Sequence, residues 1–409
     1  MTVGGKPGRI KENKDEKEAA DMSKLNRFES LHLYIQSISL YRETAESPAL
    51  RELERLCSLF GGDFDQVCRA WCGFYRALCE GDGQGSLPDY LFDRALRDEN
   101  PFSALCAREG FLATPSHLRQ AAKNDLSMLC ALSKASAKEL KVLLFSAYGD
   151  RERVIDVLPE WTEGHKKYRA EGDWGDELVR LAEHYRENGC GFAAQCPVFC
   201  YTEEGELVPQ PQSGPSRRET LAGLDGCYEK GQAIFSLAPQ GAMPRLLITG
   251  EEGAGKTTLA KTCWFECAQG TRLVWCRGED VEALFAALGE MPARFLVLCD
   301  DITDAQLRAI AHYFTQVGAL PENVSLAATA VSAEGLADAG IVFERVLPLQ
   351  KLTQLEYLEL LYKLAPLRGL EMPRDELKRR ALEWELKQTA FTPQSAQRLL
   401  GTLLVEADG

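Results

Sequence analysis

The segment Gly250-Glu251-Glu252-Gly253-Ala254-Gly255-Lys256-Thr257 constrains this chain more than any other. It matches G-x-x-x-x-G-K-[ST] in full, with an apolar run before it and an amphipathic segment after it. Such a loop works only between a strand and a helix. Glycines let the backbone curl so that successive N–H groups converge on phosphate oxygens, and the helix N-terminus adds its partial positive charge. The spacing therefore predicts a strand at 245–249 and a helix at 256–268. The loop residues Gly250, Glu251, Glu252, Gly253, Ala254, Gly255, Lys256 and Thr257, with Thr258 beside them, are the expected nucleotide contacts. Lys256 would reach the β- and γ-phosphates, and the Thr257 hydroxyl would ligate Mg²⁺, making ATP with magnesium the expected ligand pair.

A second element fits the first. Residues 295–299 are apolar and end in Asp300-Asp301. Parallel strands buried on both faces read as continuous apolar runs, and their C-terminal ends face the ligand crevice. Asp300 is thus the expected second metal ligand. Asp301 stands where a carboxylate polarises the attacking water in hydrolysis. A helix N-cap before 303–314 is the competing structural use of the pair.

Around these motifs strands and helices alternate. Strands are expected at 245–249, 272–276, 295–300, 324–329 and 343–349, with helices between them. This alternation implies a parallel sheet covered on both faces. One strand–helix unit lies between the phosphate loop and Asp300. In many P-loop ATPases an added strand separates the two motif strands, so the expected order is 5-1-4-3-2. After residue 350 the strands stop, and 353–364, 375–386 and 393–405 read as three helices with Thr353, Asp375 and Thr392 near their starts.

The rest of the chain has a different texture. Residues 1–25 are charged and poor in large apolar groups, which predicts a disordered tail. Residues 26–190 follow a helical period. Phe64, Val67, Cys68, Trp71, Cys72, Tyr75 and Cys79 mark one apolar helix face. A helix pair is expected at 121–135 and 136–147, and another helix at 176–188 ending on Gly189. Residues 191–218 read as a hairpin followed by a Pro/Gln/Ser linker. The expected organisation is a tail (1–25), a helical domain (26–190), hairpin and linker (191–218), a P-loop ATP-binding domain (219–350) and a helical cap (351–409). In this α/β architecture the helical half is the natural holder of a protein partner.

Composition narrows the function classes. The formal net charge of −14 argues against a nucleic-acid surface, which needs clustered Lys and Arg. No apolar run approaches the roughly 20 residues needed to span a bilayer. The first residues carry no apolar signal core, so a cytoplasmic location is expected. Fourteen cysteines raise the question of metal. Without an export signal disulfides are not expected, and no Cys-x-x-Cys pair exists. Cys190, Cys196 and Cys200 form the densest group. Buried apolar use of cysteine is the plainer reading for them.

Further segments carry a family resemblance. They are Asp98-Glu99-Asn100-Pro101-Phe102, Asn124-Asp125-Leu126, Leu221-Ala222-Gly223-Leu224 and Thr353-Gln354-Leu355-Glu356-Tyr357-Leu358. Together with the phosphate loop, they make the chain resemble a poorly characterised bacterial group of AAA+-like ATP-binding proteins. The resemblance covers most of the chain. It implies that 221–224 lies near the adenine and that the final helices form a lid. It also implies three further site residues. The sensor after the fourth strand would be Thr329, with Ser332 a distant second. The arginine finger would be Arg345, acting across subunits of a homo-oligomer. The lid's sensor register would fall on Gln394 or Gln397, with Arg398 beside it. None matches the family pattern cleanly, and Glu251 and Glu252 add negative charge to the loop. The expected activity is slow ATP hydrolysis coupled to a partner, or a non-hydrolysing nucleotide switch.

Overall fold

The computed structural model describes residues 26–80, 85–162, 164, 172–210, 225–334, 339–385 and 391–408. The tail expected at 1–25, most of the linker and the segment 221–224 lie outside them. The chain divides into two compact units, 1–186 and 187–409.

The first unit is helical: α1 (Arg27–Ser37), α2 (Arg42–Ala45), α3 (Pro48–Leu59), α4 (Phe64–Glu80), α5 (Leu87–Arg97), α6 (Pro101–Glu109), α7 (Ser116–Ser133), α8 (Ala137–Ala147) and α9 (Glu152–Val157). A tenth helix, α10 (Leu178–Asn188), begins in this unit, and the division between the units falls within it. Local chemistry sets several starts. Asn26 and Glu29 form a capping box ahead of α1, and Asn100 with Ser103 does the same for α6. Gly189, at φ 68°, follows α10 in the left-handed conformation that ends helices. The α4 face differs from the sequence expectation. Val67, Ala70, Trp71, Phe74 and Leu78 are buried, whereas Cys72 and Cys79 are exposed. Cysteine sits comfortably on either side of a helix, so counting it as apolar rotated the expected face.

Two buried carboxylates tie distant segments of this unit together. Asp125, 1% exposed on α7, accepts hydrogen bonds from the backbone N–H groups of Ser39, Leu40 and Tyr41 and from the Ser39 hydroxyl. Asp98, 2% exposed, accepts from the Thr44 N–H and hydroxyl and from the Asn100 amide. These bonds satisfy the unpaired donors where the chain turns from α1 into α2. Burial raises the Asp98 carboxyl pKa, with the Thr44 and Asn100 hydrogen bonds working against that.

The second unit is built on a seven-stranded sheet: β1 (Val198–Tyr201), β2 (Leu207–Pro209), β3 (Leu246–Thr249), β4 (Thr271–Cys276), β5 (Arg294–Cys299), β6 (Val324–Ala330) and β7 (Arg345–Pro348). Its order is β2-β1-β4-β5-β6-β3-β7. Only the β1–β2 pair is antiparallel. This differs from the expected five-stranded sheet. The hairpin, expected beside the linker, adds two strands at the β4 edge, with Val198 opposite Leu273 and Tyr201 opposite Cys276. The apolar Val-Phe-Cys-Tyr run is buried at all four positions, which a free hairpin could not achieve.

Alternate side chains enter two cores. Phe199, Leu247, Val274, Phe295, Val297 and Leu326 pack under α13 (Val281–Glu290) and α14 (Asp304–Gln316). Val198, Leu246, Ile248, Leu273, Leu296 and Leu298 pack under α11 (Asp225–Phe235) and α12 (Lys256–Cys267). Period-two alternation with both faces covered is why these strands read as unbroken apolar runs. The short α15 (Ala339–Val342) precedes β7. The helices α16 (Gln354–Leu367), α17 (Arg374–Glu385) and α18 (Pro393–Asp408) follow it and share their own core around Tyr357, Leu361, Leu377, Ala396 and Leu400.

No helix among the described residues is long and apolar enough to cross a membrane. Cys190, Cys196 and Cys200 are buried, and the Cys196 thiol donates to the Val198 carbonyl. Among the described residues no group of three or more His, Cys, Asp or Glu is placed to hold a metal ion.

Candidate functional site

The loop from Gly250 to Gly255 links β3 to α12. Gly253 and Gly255 have φ of 77° and 94°, the left-handed region that L side chains rarely adopt. A Cβ on Gly253 would also stand 2.8 Å from the Gln394 amide oxygen. Gly255 precedes α12 without a side-chain cap, so the first N–H groups of that helix are left for a ligand.

Lys256 opens α12 and is only 7% exposed. Its ammonium donates to the carbonyls of Gly250 (3.0 Å) and Glu251 (3.2 Å) and lies 3.9 Å from the Asp301 carboxylate. Thr257 donates its hydroxyl to Asp300 Oδ1 at 2.7 Å. The same oxygen accepts from the Thr329 hydroxyl at 2.8 Å, and the Asp301 N–H donates to Thr329 Oγ1 at 2.7 Å. The sheet order explains this convergence. β6 lies between β3 and β5, so the end of β6 places Thr329 between the phosphate-loop strand and the strand ending at Asp300.

Asp301 has φ 48°, the one non-glycine residue with positive φ among the described residues. A non-glycine side chain pays for that conformation, and such strain gathers at functional sites. The turn leaves the Asp301 carboxylate 74% exposed and facing Lys256.

A cavity of about 380 Å³ opens over the loop. Lys256, Thr257 and Thr258 line it from the start of α12, Asp301 from the turn after β5, and Gln394 and Gln397 from α18. Glu252, Gly253 and Gly255 complete the loop side, while Ala254 is buried in the core beneath. The volume lies within the range of small-molecule sites. Lys256 is its single cation among the described residues.

The expected site residues divide accordingly. The loop, Thr258, Asp300 and Asp301 come together. Thr329 joins them from beneath: it is fully buried, and its hydroxyl is spent on Asp300 and the Asp301 backbone, so it positions those groups. Arg345 does not join them. It pairs in register with Leu246 at the start of β3, whereas the phosphate loop leaves the other end, beyond Thr249. Gln394 and Gln397 line the cavity, but Arg398 and Ser332 do not. Glu251 differs from expectation as well, because its carboxylate forms an ion pair with Lys351. Nothing in the sequence pointed to Lys351, a lone lysine after the last strand.

The donor set fits magnesium. A threonine hydroxyl and an aspartate oxygen are hard ligands, and Mg²⁺ is commonly held by one or two carboxylates plus substrate phosphates.

No family model matches the chain, and no curated protein matches it. Among solved structures it is similar to the Thermotoga maritima RuvB Holliday junction branch migration motor. That match has 20% identity and TM-score 0.36, and covers 46% of this chain and 63% of that one. It is also similar to the Aeropyrum pernix ORC1 protein in complex with DNA, at 14% identity and TM-score 0.40, over 49% and 63%. A third likeness is to the E. coli MS115-1 HORMA:CdnC:Trip13 complex, at 16% identity and TM-score 0.32, over 45% and 89%. The chain thus spans less than two thirds of the RuvB and ORC1 chains. At such identities and TM-scores these likenesses assign no role to the residues of this chain.

Proposed function

We propose that the chain binds ATP with magnesium in the loop 250–257 and is a slow AAA+-like ATPase that couples nucleotide state to a protein partner. The observation that carries this reading is the meeting of Lys256, Thr257 and Asp301 at one cavity, with Asp300 hydrogen-bonded to the Thr257 hydroxyl beside it. Glycine N–H groups and the α12 N-terminus would take the phosphate oxygens, and Lys256 would exchange its loop carbonyls for the β- and γ-phosphates. Thr257 and Asp300 would hold Mg²⁺, which supplies charge neutralisation on the phosphates when bound. Asp301, aimed by its left-handed turn, would orient the attacking water.

The same cavity argues for slow turnover. Charge spread over the transferring phosphoryl oxygens needs fixed positive groups, and removing such stabilisers typically costs orders of magnitude in rate. Here Lys256 stands alone, and neutral Gln394 and Gln397 occupy the α18 side. A non-hydrolysing switch is the second reading, favoured by this shortage of cations. In either case α16–α18 act as the lid, the helical unit holds the partner, and Arg345 serves only from a second copy. The charge of −14 favours a protein over nucleic acid as that partner.

Lys256→Ala tests the binding claim. A charge-assisted contact contributes roughly 1.5–3 kcal/mol, so ATP affinity by calorimetry should fall about tenfold to hundredfold. Unchanged affinity would remove the phosphate-loop reading. Asp301→Asn should spare binding and lower turnover. An unaltered ATPase rate would require another water-orienting group.

A further inference from the structure

A second cavity, about 440 Å³, opens on the other side of the Thr257–Asp300 pair. Its wall is built from β4, β1 and α12. Thr257 and Lys261 are one turn apart on α12, so both present to the same side. The Lys261 ammonium lies 4.5 Å from the centre of the Trp275 ring, a cation–π contact that holds it over the cavity. Arg277 follows β4, its main chain fixed by its N–H donating to Tyr201 and its carbonyl accepting from Gln306. Its guanidinium stands close enough to Cys200 for its charge to oppose the rise that burial imposes on that thiol. Lys261 and Arg277 form no ion pair among the described residues, in a chain that carries an excess of 14 negative charges. Two other exposed cations of this unit are neutralised by partners, Lys351 by Glu251 and Arg379 by Glu376.

We infer that this cavity is a second ligand site, for a small phosphate-bearing anion held by Lys261 and Arg277 beside the nucleotide. Arg supplies a planar fork for phosphate oxygens and Lys a point charge, the usual pairing for such groups. The one carboxylate at the cavity floor is Asp300. Its charge repels an anion until a divalent cation neutralises it. Magnesium on Thr257 and Asp300 removes that repulsion, and whatever factor the bound nucleotide imposes on anion binding, the anion imposes on nucleotide binding by linkage. The inference takes from the proposed function only the magnesium on Thr257 and Asp300.

The test uses the full chain saturated with the magnesium complex of a non-hydrolysable ATP analogue, so that the phosphate loop is filled. Inorganic phosphate and a simple phosphate monoester are then titrated by calorimetry, with ³¹P NMR as the second readout. Expected is one saturable site per chain, weakened at least tenfold in Arg277→Gln and in Lys261→Met, with analogue affinity unchanged in both variants in the absence of phosphate. Replacing the monoester by sulfate and by acetate at the same ionic strength should show phosphate preferred. A salt-like response, equal for all three anions and for the double variant, overturns the inference. So does the absence of saturation while the analogue is bound. Failure of the analogue itself to bind would instead remove the nucleotide reading, and the two failures are distinguishable in one experiment.

Discussion

Two sets of aspartates, one in each unit, use the same acceptor chemistry to opposite ends. In the helical unit Asp125 and Asp98 are sealed from water, and backbone N–H groups, hydroxyls and an amide take up their oxygens. In the second unit Asp300 accepts two hydroxyls on one oxygen and lines the cavity beside Lys261. Asp301 next to it is mostly exposed. A carboxylate saturated with internal donors has nothing left for a ligand and fixes the chain. A carboxylate held on one side and open on the other is arranged to give up stability for binding. The contrast separates two aspartate-containing segments that look equally suggestive in sequence, Asp98-Glu99-Asn100 and Asp300-Asp301.

The strongest test of this contrast compares Asp125→Ala with Asp300→Ala. The first strands three backbone donors in the turn at 39–41. Each unsatisfied buried donor costs about 1–3 kcal/mol, so a loss on the order of 3 kcal/mol or more is expected in denaturant unfolding. The second frees two hydroxyls, which costs about 1 kcal/mol, and it should abolish the magnesium dependence of nucleotide binding. Equal losses of stability, or magnesium dependence that survives Asp300→Ala, would break the comparison.

A smaller effect is expected from pH. The Asp98 carboxyl pKa is raised by burial, so its folded value exceeds the ordinary one near 3.9. Its contribution to stability is therefore full below the ordinary value and is lost as pH rises through the raised one. The difference in unfolding free energy between wild type and Asp98→Asn should shift against the wild type across that window. A flat difference would show that the hydrogen bonds to Thr44 and Asn100 offset the burial.

The smallest effect concerns the acidic loop. Glu252 lines the cavity over the phosphate loop, whereas Glu251 is paired with Lys351. An exposed charge several ångströms from phosphate contributes well under ~1 kcal/mol. Glu252→Gln should tighten ATP binding by a few-fold, more at low salt than at high salt. Glu251→Gln, which frees Lys351, should do at least as much. Identical affinities across a salt series would place both side chains outside the field of the phosphates.

Much of the second unit was legible because its signals are local. The loop 250–257 carries its own spacing, and Asp300 ends an apolar run. Long-range relations were not legible. Thr329 acts as a bridge only because β6 lies between β3 and β5. Lys351 finds Glu251 from a hundred positions away along the chain. The hairpin was legible as a hairpin, but its place in the sheet was not, because its partner strand, β4, lies beyond the phosphate loop. In the helical unit Asp98 and Asp125 stood out as segments, but their role depends on the distant turn at 39–44. The cysteines on α4 misled because periodicity counts thiols as apolar wherever they point.

The pairing of β1 with β4 also sets a timetable for synthesis. Val198 leaves the ribosome about seventy-five residues before Leu273, its neighbour in the sheet. At roughly 5–20 residues per second that is a wait of several seconds. During that interval Val198-Phe199-Cys200-Tyr201 is an apolar strand with one free edge and only the short β2 beside it. Unpaired edges of this kind invite pairing with other chains. The nascent protein is thus most exposed to misassembly until β4 is complete at Cys276. Slowing translation between residues 210 and 270 should lower the soluble yield more than slowing it after residue 276.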